Sequence, residues 1–452
     1  RRPSVHRRCA ELADGGVCVR PHDASGSSQA PSSRPYDAGL ARHRAPRATA
    51  AVMGVAAAAW LACADASADI VRIPAVPVNL TSDSERMIAY RSQERMWQTS
   101  DGVTHVLINR GQVSEGHSLA LYASPDGGAT WDGPMVSIPG SVAASSSDGY
   151  LSGDRLTLTF DDLHGVIRHA ALDYDSTSRS WNLGEVQTVL ESPLGKAVAP
   201  SMAQDGLGRV WLAFTFKDNT TGHFSIRVML KRPRESSAVD SGLVFAADGS
   251  EANERCARPV QTANGIGIVY SLHEELHWVE RNDFWPLEAA WFGRRIGAKD
   301  KPTPDPFGCH FSVTTDADGH LHIAWVDNGA VRHSRHRPTD VGWVTRTLTG
   351  NIRANYVQAV ATGGALMIVS NTYSHAAAYQ SIDGGDTFTR THTLLHASPD
   401  EHTAYNWPRL EAPGRSSSPV PVLQQFVDRG MQRLMWFPVP AASSPQSTSR
   451  RR

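Results

Sequence analysis

One short motif occurs twice in this chain, at positions far apart in the sequence. "SPDGGATW" occupies residues 124–131 and "SIDGGDTF" occupies residues 381–388, so both copies read S-x-D-G-G-x-T-aromatic. The paired glycines can adopt the positive φ of a tight turn, and the Ser and Asp side chains can bond to the backbone of that turn. Strand-like runs flank each copy. The motif therefore predicts a hairpin tip that stabilises the fold, with four structural residues: Asp126, Trp131, Asp383 and Phe388.

A strand, a tight turn and a second strand recur seven times along the chain. The second strands are spaced by about fifty residues and begin at Thr104, Arg155, Arg209, Gly265, His320, Ala365 and Pro419. Pairs such as Asn264-Gly265, which close antiparallel hairpins, precede several of them. Units of this length with four short strands are typical of propeller blades. We therefore predict an all-β fold, a seven-bladed β-propeller of four-stranded antiparallel blades, over residues 69–440.

The last unit of the repeat lacks an outer strand, whereas the segment "DIVRIPAVPV" at residues 69–78 is strand-like but belongs to no unit. Pairing of the two would close the ring and remove exposed sheet edges. We therefore expect an N-terminal strand to close the propeller. Two worn copies of the turn motif, which end at Trp181 and Trp343, fit the same blade pattern.

The segments outside the propeller have a different composition. Residues 1–52 are rich in Arg, Ser, Pro and Gly, which predicts a disordered extension that need not belong to the native protein. Residues 53–68 form the apolar core and small-residue cleavage site of a signal peptide, with basic residues before them. A membrane anchor is less favoured because the apolar run is short and mostly Ala. We expect a secreted or periplasmic protein with a disordered basic tail at residues 441–452.

Charge and cysteine content limit the partners and the covalent chemistry. Lys and Arg total 44 against 45 for Asp and Glu, so no overall field attracts nucleic acid or an anionic membrane. We expect no nucleic-acid partner, no integral membrane segment in the mature chain, and a monomer. Only Cys256 and Cys309 follow the cleavage site, in equivalent places of consecutive repeats. In an oxidising compartment they could form a disulfide, with two unrelated buried thiols as the alternative.

The turn motif resembles the Asp box, or bacterial neuraminidase (BNR) repeat, of sialidases and related glycan-active propellers. In that superfamily the boxes lie on the face away from the active site. "VRIP" at residues 71–74 resembles the sialidase R-I-P signature, whose Arg binds the substrate carboxylate. Sialidases have six blades, however, and Arg72 falls in the expected closing strand, so we do not carry that role over. Seven blades are more similar to the seven-bladed BNR-repeat polysaccharide lyases, which use His and Tyr as base and acid and an Arg or amide facing the uronate.

The functional face of a propeller is built from the starts of the inner strands and the loops between second and third strands. In this chain nearly every blade offers a His, Tyr or Arg to that face, while the opposite turns carry Asp, Gly and Ser. We predict four candidate catalytic residues: His310, His273, Tyr356 and Tyr405. We predict seven candidate substrate-binding residues: Arg110, Arg258, His117, Asn355, Asn406, Trp407 and Tyr150.

These residue types fit β-elimination in a uronate-containing polysaccharide. Arg110 or Arg258 would neutralise the carboxylate, a His would take the C5 proton, and a Tyr would protonate the leaving oxygen. The sequence therefore favours a secreted carbohydrate-active enzyme, a polysaccharide lyase rather than a glycoside hydrolase. The alternatives are a sialidase-like hydrolase, for which Glu115, Glu274 and Glu275 are available, and a non-catalytic propeller that binds a glycan or a protein.

Metal binding is left open by the sequence. "HEELH" at residues 273–277 matches a zinc-helix pattern, but it lies between strands, where a helix is not expected. No cofactor is implied with certainty. Calcium or another divalent metal ion in the central channel remains an alternative.

Overall fold

The computed structural model describes residues 17–19, 70–88, 92–113, 117–235, 237–246, 256–272, 275–287, 289–298, 310–340, 342–372, 375–396, 403–404 and 409–442. These residues form strands, turns and loops, and no helix among them is long and apolar enough to cross a membrane. The predicted signal peptide and most of the two terminal extensions fall outside these ranges, so they stay predictions.

The strands assemble into antiparallel blades, each with an inner, a second, a third and an outer strand. Blade 1 contains Met96–Gln98, Thr104–Asn109, Leu119–Ser124 and Asp132–Ser137. Blade 2 contains Ser147–Ser152, Arg155–Asp161, Ile167–Asp175 and Ser180–Leu183, and Gln187–Leu190 also pairs with its third strand. Blade 3 contains Gly195–Gln204, Val210–Asp218, Phe224–Lys231 and Val239–Ala246.

Three of the remaining four blades gain a strand from the N-terminal part of the chain. Blade 4 contains Ala257–Thr262, Gly265–Leu272, Glu275–Asn282 and Trp291–Ala298, with Val17–Val19 on its outer edge. Blade 5 contains Phe311–Thr315, Leu321–Asp327, Ala330–His336 and Val344–Thr347. Blade 6 contains Val357–Ala361, Leu366–Asn371, Ala376–Ser381 and Thr389–Leu395, edged by Val71–Pro74. Blade 7 contains Thr403–Ala404 and Leu410–Glu411 on the inside, then Val420–Asp428, Met431–Val439 and Val76–Ser82.

The predicted fold class is confirmed. The chain is an all-β, seven-bladed propeller of four-stranded antiparallel blades, and an N-terminal strand completes the last blade. Every predicted second strand is the second strand of its blade, with a start that agrees to within one residue. These strands are predictable because a strand with a blade packed on each face carries a continuous apolar run. Leu321–Asp327, for example, is buried along its whole length.

Ring closure differs in detail from the single strand expected at residues 69–78. The structure divides this segment at Ala75, whose backbone N–H donates to the Leu395 carbonyl oxygen at 3.0 Å. Val71–Pro74 runs parallel to the outer strand of blade 6, and Val76–Ser82 runs antiparallel to the third strand of blade 7. Both segments contain proline, which lacks an N–H and is confined to sheet edges. Arg72 is exposed on the edge of blade 6.

The core lies between neighbouring blades, where large aromatic side chains meet. The rings of Trp211 and Trp291 contact edge to face at 5.3 Å between blades 3 and 4. Between blades 1 and 2, Trp181 Nε1 donates to Nδ1 of His105 at 3.3 Å. Burial there lowers the pKa of His105 to about 4. These three tryptophans thus connect neighbouring blades.

The two S-x-D-G-G-x-T turns share one hydrogen-bond pattern. In the first, the Ser124 hydroxyl donates to Asp126 Oδ1 at 2.8 Å and accepts the Gly128 N–H at 2.6 Å. In the second, Ser381 does the same with Asp383 and Gly385. The second glycine of each turn is needed for packing. A Cβ at Gly128 would lie 2.5 Å from Trp436 Nε1, and one at Gly385 would lie 2.8 Å from His333 Cε1. The turns therefore pack onto neighbouring blades.

The aromatic residues that end the two turns differ in burial. Trp131 is buried, and its indole N–H donates to the Gly128 carbonyl oxygen at 3.0 Å. Phe388 is half-buried and packs edge to face on His333 of blade 5, with 4.8 Å between ring centroids. Each turn thus joins the edge of its own blade to an adjacent one, and neither contributes a group suited to catalysis.

Candidate active site

The upper face of the propeller is defined here by the starts of the inner strands and the loops between second and third strands. The turns between inner and second strands form the lower face, together with those between third and outer strands. Three residues predicted from the sequence meet on the upper face, where blades 5 and 6 adjoin: His310, Asn355 and Tyr356. His310 precedes the inner strand of blade 5, and the other two precede that of blade 6.

The His310 ring has a defined orientation. Its Nδ1 lies 2.7 Å from the Asn355 carbonyl oxygen. Because a carbonyl oxygen can only accept, the ring carries its hydrogen on Nδ1. In the neutral imidazole the lone pair then resides on Nε2, which is the atom that can take a proton. The hydrogen bond to Asn355 therefore sets His310 in the tautomer of a base.

Tyr356 lies directly against this base. The two rings are tilted by 31°, with centroids 3.9 Å apart. The backbone N–H of Tyr356 donates to Asn371 Oδ1 at 3.0 Å, which fixes the start of the inner strand of blade 6. Two adjacent blades thus hold a proton acceptor and a tyrosine in ring contact, and both residues are buried.

Arg409 completes the group, which we call the upper cluster: His310, Asn355, Tyr356 and Arg409. Nη1 of Arg409 donates to the Tyr356 hydroxyl at 3.2 Å, and its Nε donates to the Glu85 carbonyl oxygen at 2.7 Å. The side chain is half-buried. Sequence reasoning missed this residue, although it follows the predicted Trp407 by only two positions.

Two neutral histidines lie farther out on blade 6. Burial lowers the pKa of His375, which follows the loop after the second strand. Burial also lowers the pKa of His396, at the end of the outer strand, to about 4.

Four predicted residues lie outside the described part of the chain: His273, Tyr405, Asn406 and Trp407. Their assignment to the site stays a prediction. The same holds for Cys309, and hence for the disulfide with Cys256, which is buried just before the inner strand of blade 4. In the "HEELH" segment, Glu275 and His277 belong to the third strand of blade 4, so this part of the motif is not helical.

Arg110 and His117 lie on the upper loop of blade 1. Nη2 of Arg110 donates to the His117 carbonyl oxygen at 2.6 Å and to the Ser137 hydroxyl at 3.3 Å. The Arg110 side chain is therefore drawn toward the outer strand of its own blade. The structure does not bring this pair to the upper cluster.

Arg258 belongs to a buried ion network in the central channel, formed with Asp148 and Glu94. Its Nη1 lies 2.9 Å from Asp148 Oδ1, and its Nη2 lies 2.7 Å from Glu94 Oε2. Burial acts to lower the pKa of Arg258, but the two carboxylates outweigh it and raise the pKa above its ordinary value. The remaining oxygen of Asp148 accepts from Ser201 Oγ at 2.6 Å. The network thus connects blades 1 to 4.

Another carboxyl group, that of Glu411, lies beside this network. Glu411, on the inner strand of blade 7, is fully buried, and its Oε1 accepts the Arg95 N–H at 3.3 Å. Burial raises the pKa of Glu411 to about 8. The Arg95 guanidinium donates instead to three carbonyl oxygens, those of Arg86, Ser145 and Ser147. The ends of the inner strands are therefore held by polar contacts that are sealed from solvent.

Tyr150 faces the other end of the channel, in a pocket of about 390 Å³. The pocket is lined by Glu94 and Arg258 and by residues near the lower ends of the inner strands, so we call it the lower pocket. The Tyr150 hydroxyl donates to Gln261 Oε1 at 2.6 Å. The sequence placed Tyr150 at the start of an inner strand, but that strand begins at Ser147, which puts Tyr150 toward the lower face.

One group among the described residues could hold a metal ion. It consists of Asp316, His320 and His322, at the lower-face turn of blade 5.

Comparison with known proteins gives structural neighbours but no sequence family. No family model and no curated protein matches this chain. Among solved structures, an ulvan lyase of polysaccharide lyase family PL25 has a TM-score of 0.47 at 10% identity, with 80% of this chain and 96% of that chain covered. The alignment with the α-L-arabinofuranosidase Arb93A of Fusarium graminearum has a TM-score of 0.40 at 11% identity and covers 81% and 97%.

A lectin is among the neighbours as well. The fucose-binding Aleuria aurantia lectin has a TM-score of 0.41 at 14% identity, with 68% of this chain and 99% of that chain covered. These neighbours thus include enzymes that act on carbohydrates and a lectin that binds them. None of these similarities reaches a TM-score of 0.5, so none identifies an activity.

Proposed function

We propose that this protein is a secreted polysaccharide lyase that cleaves a uronate-containing chain by β-elimination at its upper face. The observation that carries the proposal is the contact between His310, held in the tautomer of a base, and Tyr356, whose hydroxyl is bound by Arg409. Elimination needs a base at C5 and an acid at the oxygen on C4 of the same sugar ring. A base and a tyrosine whose rings are in contact suit those adjacent positions.

The roles follow from the chemistry of the three groups. Nε2 of His310 takes the C5 proton, the C4–C5 double bond forms, and the C4–O4 bond breaks. The Tyr356 hydroxyl gives its proton to the departing oxygen. Arg409 pairs with the uronate carboxylate, which makes the C5 proton more acidic. We assign this part to Arg409 because it contacts the Tyr356 hydroxyl, whereas Arg258 binds two carboxylates and Arg110 is drawn toward the outer strand of blade 1.

The test is the ultraviolet absorbance of the new C4–C5 double bond when the full chain is incubated with a panel of uronate polysaccharides. We expect the absorbance to rise with the wild type. The rate of that rise should be lower by roughly a hundredfold or more in His310→Gln and in Tyr356→Phe, which is the usual effect of losing an acid or base. Tyr379→Phe is the matched control, because Tyr379 is a buried tyrosine in the third strand of the same blade.

The outcomes separate the reaction classes. Equal rates for Tyr356→Phe and Tyr379→Phe would contradict the assigned acid. New reducing ends without absorbance would indicate a sialidase-like or other glycoside hydrolase.

The lower pocket favours a second candidate function, that of a non-catalytic propeller that binds a glycan. Its lining combines aromatic side chains, such as Trp97 and Tyr150, with the charged groups of Glu94 and Arg415. Ligand sites of this kind combine apolar walls with a few polar groups. Saturable binding of an oligosaccharide without any cleavage, weakened by a change at Tyr150 and unaffected at Tyr356, would support this function and exclude the first.

A further inference from the structure

A compact group of polar side chains lies on the lower face of blade 5, away from the upper cluster. Asp316 follows the inner strand, and its Oδ1 accepts the backbone N–H groups of Asp318 at 3.0 Å and His320 at 2.9 Å. These bonds close the turn to the second strand. The other oxygen, Oδ2, lies 2.9 Å from His320 Nδ1 and 3.0 Å from His322 Nε2.

The strand geometry explains why two imidazoles converge on one carboxylate. His320 and His322 are two positions apart at the start of an extended strand, so their side chains project to the same side. One ligand atom from each of the three residues lies within 4.8 Å of the other two. The His322 side chain is fully buried, whereas those of His320 and Asp316 are 20% and 19% exposed. The group is therefore anchored in the core and open to solvent on one side.

A fourth residue holds the buried imidazole in place. His322 Nδ1 lies 3.1 Å from His333 Nε2, and the two rings are stacked with centroids 5.4 Å apart. His333 is fully buried on the third strand, against Phe388 of blade 6. An imidazole that binds a metal through one nitrogen is commonly fixed by a hydrogen bond at the other. His322 has this arrangement, with His333 as the outer partner.

We propose that Asp316, His320 and His322 form a binding site for a first-row divalent transition-metal ion such as Zn²⁺. Two imidazole nitrogens and one carboxylate oxygen suit zinc and its neighbours, whereas calcium prefers oxygen ligands throughout. Around a tetrahedral ion the ligand atoms would be about 3.4 Å apart, so the two O–N separations open by a few tenths of an ångström. Water fills the remaining position.

Metal binding would shift hydrogens between the ring nitrogens of His322 and His333. In the absence of an ion, His322 Nε2–H donates to Asp316, and His333 Nε2–H donates to His322 Nδ1. When Nε2 of His322 binds the ion, its hydrogen is carried on Nδ1 and donates to His333 Nε2, and the His333 hydrogen moves to Nδ1. No net proton is lost from these two rings. The buried histidine pair thus lets His322 change from a hydrogen-bond donor to a metal ligand, at the cost of a buried hydrogen on His333 Nδ1, which has no hydrogen-bond partner among the residues that the structure describes.

This site is independent of the proposed lyase reaction, because it faces the opposite end of the propeller. A bound ion would fix the lower turn of blade 5 and, through His333, its contact with the second S-x-D-G-G-x-T turn. We therefore expect zinc to raise the melting temperature of the protein without being needed for β-elimination.

The test is a calorimetric titration of the chelator-treated full chain with Zn²⁺ at neutral pH, alongside His320→Gln and His336→Gln. His320 is partly exposed, so its replacement should leave the fold intact. His336 is the matched control on the same blade, where its Nδ1 lies 3.2 Å from the Gly342 carbonyl oxygen. We expect wild type and His336→Gln to bind zinc with the same affinity. His320→Gln should bind zinc roughly tenfold to a hundredfold more weakly.

Two outcomes would overturn the proposal. Unchanged affinity in His320→Gln would assign the bound zinc to other histidines or cysteines of the chain, and no measurable binding by the wild type would exclude the site. A second measurement uses Co²⁺, whose visible absorption reports nitrogen and oxygen ligation. We expect its spectrum to be lost in Asp316→Asn and retained in His336→Gln, and the reverse result would contradict the ligand set.

Discussion

The upper cluster and the buried ion network both depend on an arginine, but the two arginines have different partners. Arg258 is buried and binds two carboxylates, Asp148 and Glu94. Arg409 is half-buried, and its contacts include the Tyr356 hydroxyl and the Glu85 carbonyl oxygen. Arg258 therefore stabilises the ring through two carboxylates, whereas Arg409 contacts the tyrosine that we propose as the catalytic acid. The difference shows that residue type alone does not identify a substrate-binding arginine.

The largest expected effect comes from breaking the ion network. Arg258→Met would leave the fully buried Asp148 and the partly exposed Glu94 without their cation. Loss of one partner of a buried ion pair costs about 3–5 kcal/mol of unfolding free energy. Arg155→Met is the matched control, because the Arg155–Asp173 pair has the same chemistry but side chains that are 59% and 60% exposed. Exposed pairs contribute about 0–1 kcal/mol.

Chemical denaturation of the two variants measures this difference. Equal stability losses would mean that the buried network does not hold blades 1, 2 and 4 together. A large loss in Arg258→Met alone would confirm that the central arginine is structural.

The second expected effect is a change in how stability depends on pH. The pKa of Glu411 is raised by burial to about 8, above its value of 4.5 in an unfolded chain. Its contribution to stability is therefore complete below pH 4.5 and is lost as the pH rises toward 8. The slope is at most about 1.4 kcal/mol per pH unit. Glu411→Gln cannot ionise, so we expect the loss of stability between pH 6.5 and 8 to become smaller.

The pH window is chosen to exclude the buried histidines. The pKa of His105 is lowered to about 4 from 6.5 in the unfolded chain, so its contribution is present above pH 6.5 and is lost as the pH falls. It has the opposite sign and acts below the window. Denaturation of wild type and Glu411→Gln at both ends of the window gives the slope directly. Parallel slopes would show that Glu411 ionises normally in the folded state.

The fold could be predicted from the sequence because its signals are local and repeated. Three signals recur in several blades: the apolar second strands, the two-residue turns and the S-x-D-G-G-x-T motif. An error in the assignment of one blade therefore does not change the assignment of the others. The closing strand could be predicted because residues 69–78 are strand-like and belong to none of the seven repeat units. Its division at Ala75 depends on pairing with two different blades, which a single strand pattern does not encode.

The candidate site was predicted in part. His310, Asn355 and Tyr356 precede inner strands, and that position places them on the upper face. Arg409 was missed because the inner strand of blade 7 is split into two short pieces, so its start gives no clear signal. Glu94 and Asp148 were missed as well, because buried carboxylates are stabilised by a cation from a blade far away in sequence, and such a partner is set by the closed ring.

The smallest expected effect tests which end of the channel binds the substrate. Tyr150→Phe removes one hydrogen bond to Gln261 from the half-buried wall of the lower pocket, a loss of about 0.5–1.5 kcal/mol in stability. If catalysis belongs to the upper cluster, kcat/KM for β-elimination should be unchanged, because Tyr150 lies near the opposite end of an inner strand. Steady-state kinetics of Tyr150→Phe beside Tyr356→Phe measure this contrast. A raised KM in Tyr150→Phe alone would move the substrate to the lower pocket and would make the upper cluster a structural contact between blades 5, 6 and 7.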